Sequence, residues 1–128
     1  MEVVRELYER FNGDDPESIY ELLSEDFRAD VPPSLSAEPD VYEGHAGVRR
    51  YMDGFRGHLD DVRFEVLGLH LEGEEVIVDM LVTGRGATSG IPVEQGSAVV
   101  HWVAGGLVTR MDVHTDVEVA RASLRTVG

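Results

Sequence analysis

Neither cysteine nor lysine occurs in the chain, tryptophan occurs once, and no apolar run is longer than a strand. Each absence removes a class of protein. Without thiols there is no disulfide frame, no thiol nucleophile and no thiolate metal site. The longest apolar runs, residues 76–78 and 80–82, fall far short of the roughly 20 residues that cross a bilayer as a helix. The opening Met1-Glu2-Val3-Val4-Arg5-Glu6 is too charged for a secretory signal, so a cytoplasmic protein is expected. Positive charge is scarce as well: eleven arginines stand against 25 acidic residues, for a net charge of -14. Such a surface repels phosphate backbones and anionic lipid, which argues against nucleic-acid and membrane partners. Its plainest physical role is solubility.

What is present reads as one domain, since 128 residues can bury a core without disulfides. Val4, Leu7, Tyr8 and Phe11 recur at i, i+3, i+4 and i+7, which predicts an amphipathic helix over 3–12, ended by Asn12-Gly13. Asp15-Pro16 reads as an N-cap with proline at the first helical position, and Ile19, Leu22 and Leu23 give a second helix its stripe. A turn at 24–26 leads into a strand at 27–31, stopped by Pro32-Pro33, and 34–40 reads as a loop at a pocket lip. Tyr42-Glu43-Gly44-His45 opens a third helix with Val48, Tyr51, Met52 and Phe55 inward, closed by Gly57. His45 and His58 read as helix-flanking surface residues.

From residue 62 the period changes to two. Strands at 62–71 and 75–83 form a hairpin, 84–91 is a glycine-rich connection, and strands at 92–103 and 107–115 form a second hairpin across Ala104-Gly105-Gly106. A short helix follows over 117–124, with Asp116 at its N-cap. Helices first and an antiparallel meander afterwards predict an α+β domain, with three N-terminal helices on one face of a curved, mostly antiparallel sheet and a short C-terminal helix.

Titratable residues stand out on two strands. Asp79 interrupts an otherwise apolar run, so it is paired, protonated or outward-facing. Along 110–116 the alternation puts Asp112, His114 and Asp116 on one side and Met111 and Val113 on the other. A histidine between carboxylates can shuttle a proton; the plain alternative is a partly exposed strand residue. Asp116 is a helix cap first. His101 and Trp102 must face opposite ways, and Trp102 suits a core or a subunit interface. Tyr42 and Tyr51 can hydrogen-bond a ligand or simply pack. The i, i+2, i+4 spacing of Asp112, His114 and Asp116 spreads them over about 13 Å, which disfavours a single metal ion. No phosphate or cofactor motif is present, because Gly84-Arg85-Gly86 opens no helix.

The order and spacing of these features resemble the SnoaL-like group of the nuclear-transport-factor-2-like, or ketosteroid-isomerase-like, superfamily. The resemblance rests on the acidic helix pair, Tyr42-Glu43-Gly44 with Gly47-Val48-Arg49, Thr83-Gly84-Arg85-Gly86 with Ser89-Gly90-Ile91-Pro92-Val93, and the last hairpin running into Asp116. It implies a cone-shaped sheet with a ligand pocket at its open end and a homodimer packed through the sheet. The family's fold hosts unrelated activities, so architecture transfers more readily than chemistry. Steroid isomerisation is not implied: its tyrosine, base and late aspartate positions fall on Leu7, Val31 and near Val99, with Tyr8 and Asp30 one residue off.

For SnoaL-type cyclases, Asp112, His114 and His101 are the matching residues. For epoxide-hydrolase-like members, Asp79 and Asp112 match the two aspartates, while the arginine position is Ile77; Arg110 could substitute only if it points into the cone, and a pocket without Arg110 or Arg85 would remove this option. The expectation is therefore cofactor-independent acid/base chemistry on a small apolar or polyketide-like molecule. Asp79, Asp112 and His114 would carry it, with Tyr42, Tyr51, His101, Trp102 and Asp116 as ligand contacts. A non-enzymatic binding or dimerisation module is the alternative, and it predicts an apolar pocket with both aspartates facing away.

Overall fold

In the computed structural model, which describes residues 2–13, 15–31 and 40–125, the alternating half of the chain builds the frame. Six strands form one sheet that does not close: β1 (Leu23–Val31), β2 (Asp40–Glu43), β3 (Leu59–Glu72), β4 (Glu75–Gly86), β5 (Pro92–Ala104) and β6 (Leu107–His114). Their order in space is β2-β1-β6-β5-β4-β3. All neighbours are antiparallel except β1 and β6, which run parallel. The turn between β5 and β6 needs left-handed backbone at both central positions, and Gly105 and Gly106 supply it with φ of +61° and +79°.

Alternation divides the strands between two cores. The inner face packs on α1 (Glu2–Phe11), on a 3-10 helix (Pro16–Leu22) and on α2 (Gly44–His58). Val76, Val78, Met80 and Val99 meet Val4, Leu7, Val48 and Met52 there, with Met111 and Val113 packed against them. The outer face carries α3 (Val117–Arg125), whose Ala120, Val117 and Leu124 cover Ile77, Ala98, Val100 and Trp102. A salt bridge from Arg121 to Glu72 at 2.6 Å holds α3 against the end of β3.

Several expectations need correction. The second N-terminal helix is a 3-10 turn and not an α-helix, and the Asp15 side chain makes no capping bond. Its backbone closes from Ser18 N–H to the Asp15 carbonyl at 3.1 Å, an i to i+3 bond, and Leu23 is already extended. β1 absorbs the expected turn at 24–26 through a register shift between Leu23 and Arg28. Tyr42 does not open a helix: it pairs with Ala29 in β2, and α2 begins at Gly44, where φ is +66°. The order is thus α1, the 3-10 helix, β1, β2 and α2, with a 3-10 helix in place of one of the three expected helices and a second strand ahead of the last.

β4 runs on to Gly86, so only 87–91 connect it to β5. His45 is not a free surface residue; its Nε2 lies 3.0 Å from the Leu23 carbonyl and its ring packs on Tyr20. Pro32-Pro33, the loop at 34–39 and the side chains of Phe55 and His58 lie outside the described residues. No helix among the described residues is long and apolar enough to cross a membrane.

Candidate functional site

The inner face contains a largely enclosed pocket of about 40 Å³. Its wall is apolar and aromatic: Phe27 and Ala29 from β1, Met111 and Val113 from β6, Phe11 from α1, and Val48, Tyr51 and Met52 from α2, with Tyr42 from β2 and Leu23. The alternation of β6 explains the composition, since the residues that enter the pocket are those between the titratable ones. Tyr42 and Tyr51 stack on the wall with ring centroids 4.8 Å apart. Burial, and then the neighbouring Tyr42, raises the pKa of Tyr51, so Tyr51 stands as a neutral phenol at physiological pH.

Beside the pocket lies a polar pair that spans 93 residues of sequence. The Tyr8 hydroxyl and His101 Nε2 are 2.6 Å apart, Tyr8 is 3 % exposed and His101 is fully buried. The other ring nitrogen, Nδ1, lies 3.0 Å from the Val99 carbonyl and 3.3 Å from that of Val76. Carbonyls only accept, so Nδ1 carries the proton, Nε2 is the acceptor and Tyr8 donates to it. Burial lowers the His101 pKa to about 4, against the opposing pull of the two carbonyls. Burial, followed by the nearby Tyr51, raises the Tyr8 pKa well above its ordinary value. Both groups are neutral, mutually satisfied and dry.

His101 was recognisable in sequence as a candidate, but its partner was not. Tyr8 reads there as one of four apolar-stripe residues, one position off the isomerase tyrosine. A helix stripe and a strand alternation each say that a residue faces inward; neither says which inward residues from distant segments meet.

The structure places the remaining candidates on the outer face. Asp112 pairs across β5 with Val100 and His114 with Ala98, both residues of the core under α3. Asp79 also pairs with Ala98, so Asp79 and His114 lie on one rung with Ala98 between them. Asp79 is half-buried, and its side chain makes no hydrogen bond or ion pair among the described residues. His114 Nε2 is 3.4 Å from Ser123 Oγ of α3. Asp116 caps α3, accepting the Val119 N–H at 2.9 Å.

Trp102 faces outward under the Arg110 guanidinium, which lies 5.0 Å from the ring centroid. Arg110 also grips Asp112 with two bonds, at 3.1 and 3.2 Å, and reaches Asp30 at 3.3 Å. This plate is substantially solvated, so its ion pairs contribute at most about 1 kcal/mol each. An arginine between two aspartates does exist here, but the second aspartate is Asp30 and not Asp79. Neither Arg110 nor Arg85 lines the inner pocket.

The geometry therefore brings Tyr42, Tyr51 and, beside them, His101 to the inner face, and it gathers Asp79, Asp112, His114, Trp102 and Asp116 on the other. Among the described residues no group of three His, Asp or Glu side chains is close enough to hold a metal ion.

None of the curated proteins matches the chain. Solved structures match over most of its length. A nuclear-transport-factor-2-like protein of unknown function from Burkholderia pseudomallei K96243 is 22 % identical with a TM-score of 0.79, covering 94 % of each chain. The epoxide hydrolase/cyclase-like enzyme SalBIII, from pyran ring formation in the polyether salinomycin, is 23 % identical with a TM-score of 0.73, covering 88 % of this chain and 87 % of its own. TerC, co-crystallised with polyporic acid, is 21 % identical with a TM-score of 0.78, covering 96 % and 95 %. At these identities the likeness is one of fold. The family model for the SnoaL-like domain matches residues 4–111, from the first turn of α1 to the inward-facing Met111 of β6, and the chain belongs to that family.

Proposed function

We propose that the protein binds a small apolar, polyketide-like molecule against the inner face of a cone-like sheet, in the pocket under α2. One observation carries the reading: the inner face leaves open a pocket whose wall is built of apolar and aromatic side chains, Tyr42 and Tyr51 among them. Such a wall with a few polar groups is the usual composition of a small-molecule site. Beside the wall, Tyr8 and His101 supply a hydrogen-bonded proton donor and acceptor for isomerase- or cyclase-type chemistry. A ligand in this pocket meets Met111 and Val113, while Asp112 and His114 point away from it.

The test is binding of an apolar aromatic probe, indole, followed by the rise in melting temperature and by NMR. Ala29→Leu places three further carbons into the pocket and should abolish both signals. Asp112→Asn should leave them unchanged. Loss of binding in Asp112→Asn but not in Ala29→Leu would move the site to the outer face. The acid/base set Asp79, Asp112 and His114 would then be the working reading.

The same proposal includes a homodimer packed through the sheet. Leu71 on β3, Ile91, and Val93 on β5 are exposed large apolar side chains, and residues 92–97 of β5 extend past the end of β6, which pairs only from Ala98 onward. Sedimentation equilibrium at micromolar concentration should give twice the 14.1 kDa chain mass. A single species at the chain mass would remove this part.

A further inference from the structure

The pocket as it stands holds about 40 Å³, enough for one or two water molecules. Ligand sites usually offer some hundreds of Å³. A second cavity has the room. An open groove of about 540 Å³ runs between α1 and β3, with Tyr8, Phe64, Val66 and Leu69 on its apolar side and Arg5 and Arg63 among its polar residues. Phe11 links the two walls. Phe11 lines the pocket, and its ring is 4.9 Å from Phe64 and 5.6 Å from Tyr8, both of which line the groove.

The three rings are held differently. Tyr8 is tied through its hydroxyl to His101. Phe64 is tied through its backbone, because the Asn12 side chain donates to its carbonyl at 2.7 Å and accepts its N–H at 2.8 Å. Phe11 is partly buried and is held only by apolar packing, against the inner core and the rings of Tyr8 and Phe64. The Asn12 clamp also pins the end of α1 to β3, so Phe11 can swing by side-chain rotation while the helix stays in place.

We propose that Phe11 is a gate: its rotation joins pocket and groove into one ligand-sized cavity, and a flat apolar aromatic molecule reaches the inner face through the groove between α1 and β3. The gate rests on the pocket reading above and adds the route and the moving part. The groove's charged residues stay at the solvent edge while the apolar body of the ligand passes over Phe64 and Val66. Closed, the gate keeps water from an apolar space; open, it makes the volume that the pocket lacks.

Stopped-flow measurement of indole association with the full chain tests this. Phe11→Ala should raise the association rate about tenfold or more, and Phe11→Leu by less, since a step that waits on a conformational change limits association. Leu67→Trp changes an exposed residue of the groove and should slow association by a similar factor with the pocket untouched; it keeps the test sound if Phe11→Ala does not fold. Indole binding that Ala29→Leu abolishes, with rates unaltered in the Phe11 and Leu67 variants, would overturn the gate and leave the pocket. No binding in the parent chain or in Phe11→Ala would overturn both.

Discussion

Taking the protein from pH 7 to pH 5 will remove about 2 kcal/mol of stability through His101 alone, and continuing to pH 4 will remove about 3. The unfolded chain holds His101 near the ordinary pKa of about 6.5. The folded chain holds it at about 4, because burial penalises the imidazolium more than the two backbone carbonyls favour it. Between those values the unfolded state binds a proton that the folded state refuses, so stability is fully present above about 6.5 and falls as pH falls towards 4. The loss by pH 5 precedes most carboxylate titration, which separates it from general acid denaturation.

Removing His101 alone would strand the Tyr8 hydroxyl, so the comparison uses the double variant Tyr8→Phe/His101→Leu, in which both polar groups leave together. Urea unfolding of parent and double variant at pH 7, 6 and 5 gives the difference directly. The parent should lose about 2 kcal/mol more than the variant. Equal slopes in the two proteins would mean that the imidazole is not buried neutral against Tyr8. A dry, neutral pair is what the proposed chemistry needs, so this equilibrium measurement bears on the site without any knowledge of the ligand.

The strands show how far a single sequence reaches. Alternation correctly separates Met111 and Val113 from Asp112 and His114, because strand geometry makes that division whatever lies on either side. It does not say which side receives the pocket. The decision belongs to the nine residues of α3: Asp116 caps the helix directly after β6, and α3 folds back over Ile77, Ala98 and Val100. That cover makes the outer face half-buried and lets it tolerate carboxylates at its margin, so a row of titratable residues there imitates a pocket lining. The second helix fails for a different reason. Its stripe of Ile19, Leu22 and Leu23 is real, but seven residues ending in an extended Leu23 leave no room for i to i+4 bonding to propagate. Pairs such as Tyr8 with His101 or Phe11 with Phe64 depend on the seating of α1 across β3 and β5, for which no local pattern exists.

Gly47→Ala will destabilise the domain by about 1–3 kcal/mol, against the direction that helix propensity alone predicts. In the interior of a free helix the same change gains roughly 1 kcal/mol. Here a Cβ would lie 2.9 Å from the carbonyl carbon of Tyr42 and 3.2 Å from its Cα. Those are backbone atoms of β2, which pairs with β1, so they cannot give way as a flexible side chain would. The glycine lets α2 sit directly on the strand, and this contact sets the spacing between Tyr42 on one side of the pocket and Val48, Tyr51 and Met52 on the other. Gly96→Ala is the control: nothing lies within 4 Å of its Cβ position, and it should be neutral or stabilising by roughly 0.5–1 kcal/mol. Urea unfolding of both variants checks the pair, with indole binding as the second readout. A Gly47→Ala protein as stable as its parent would show that α2 does not rest on β2 at this distance, whereas a destabilised protein with weakened binding would tie the helix seat to the pocket it encloses.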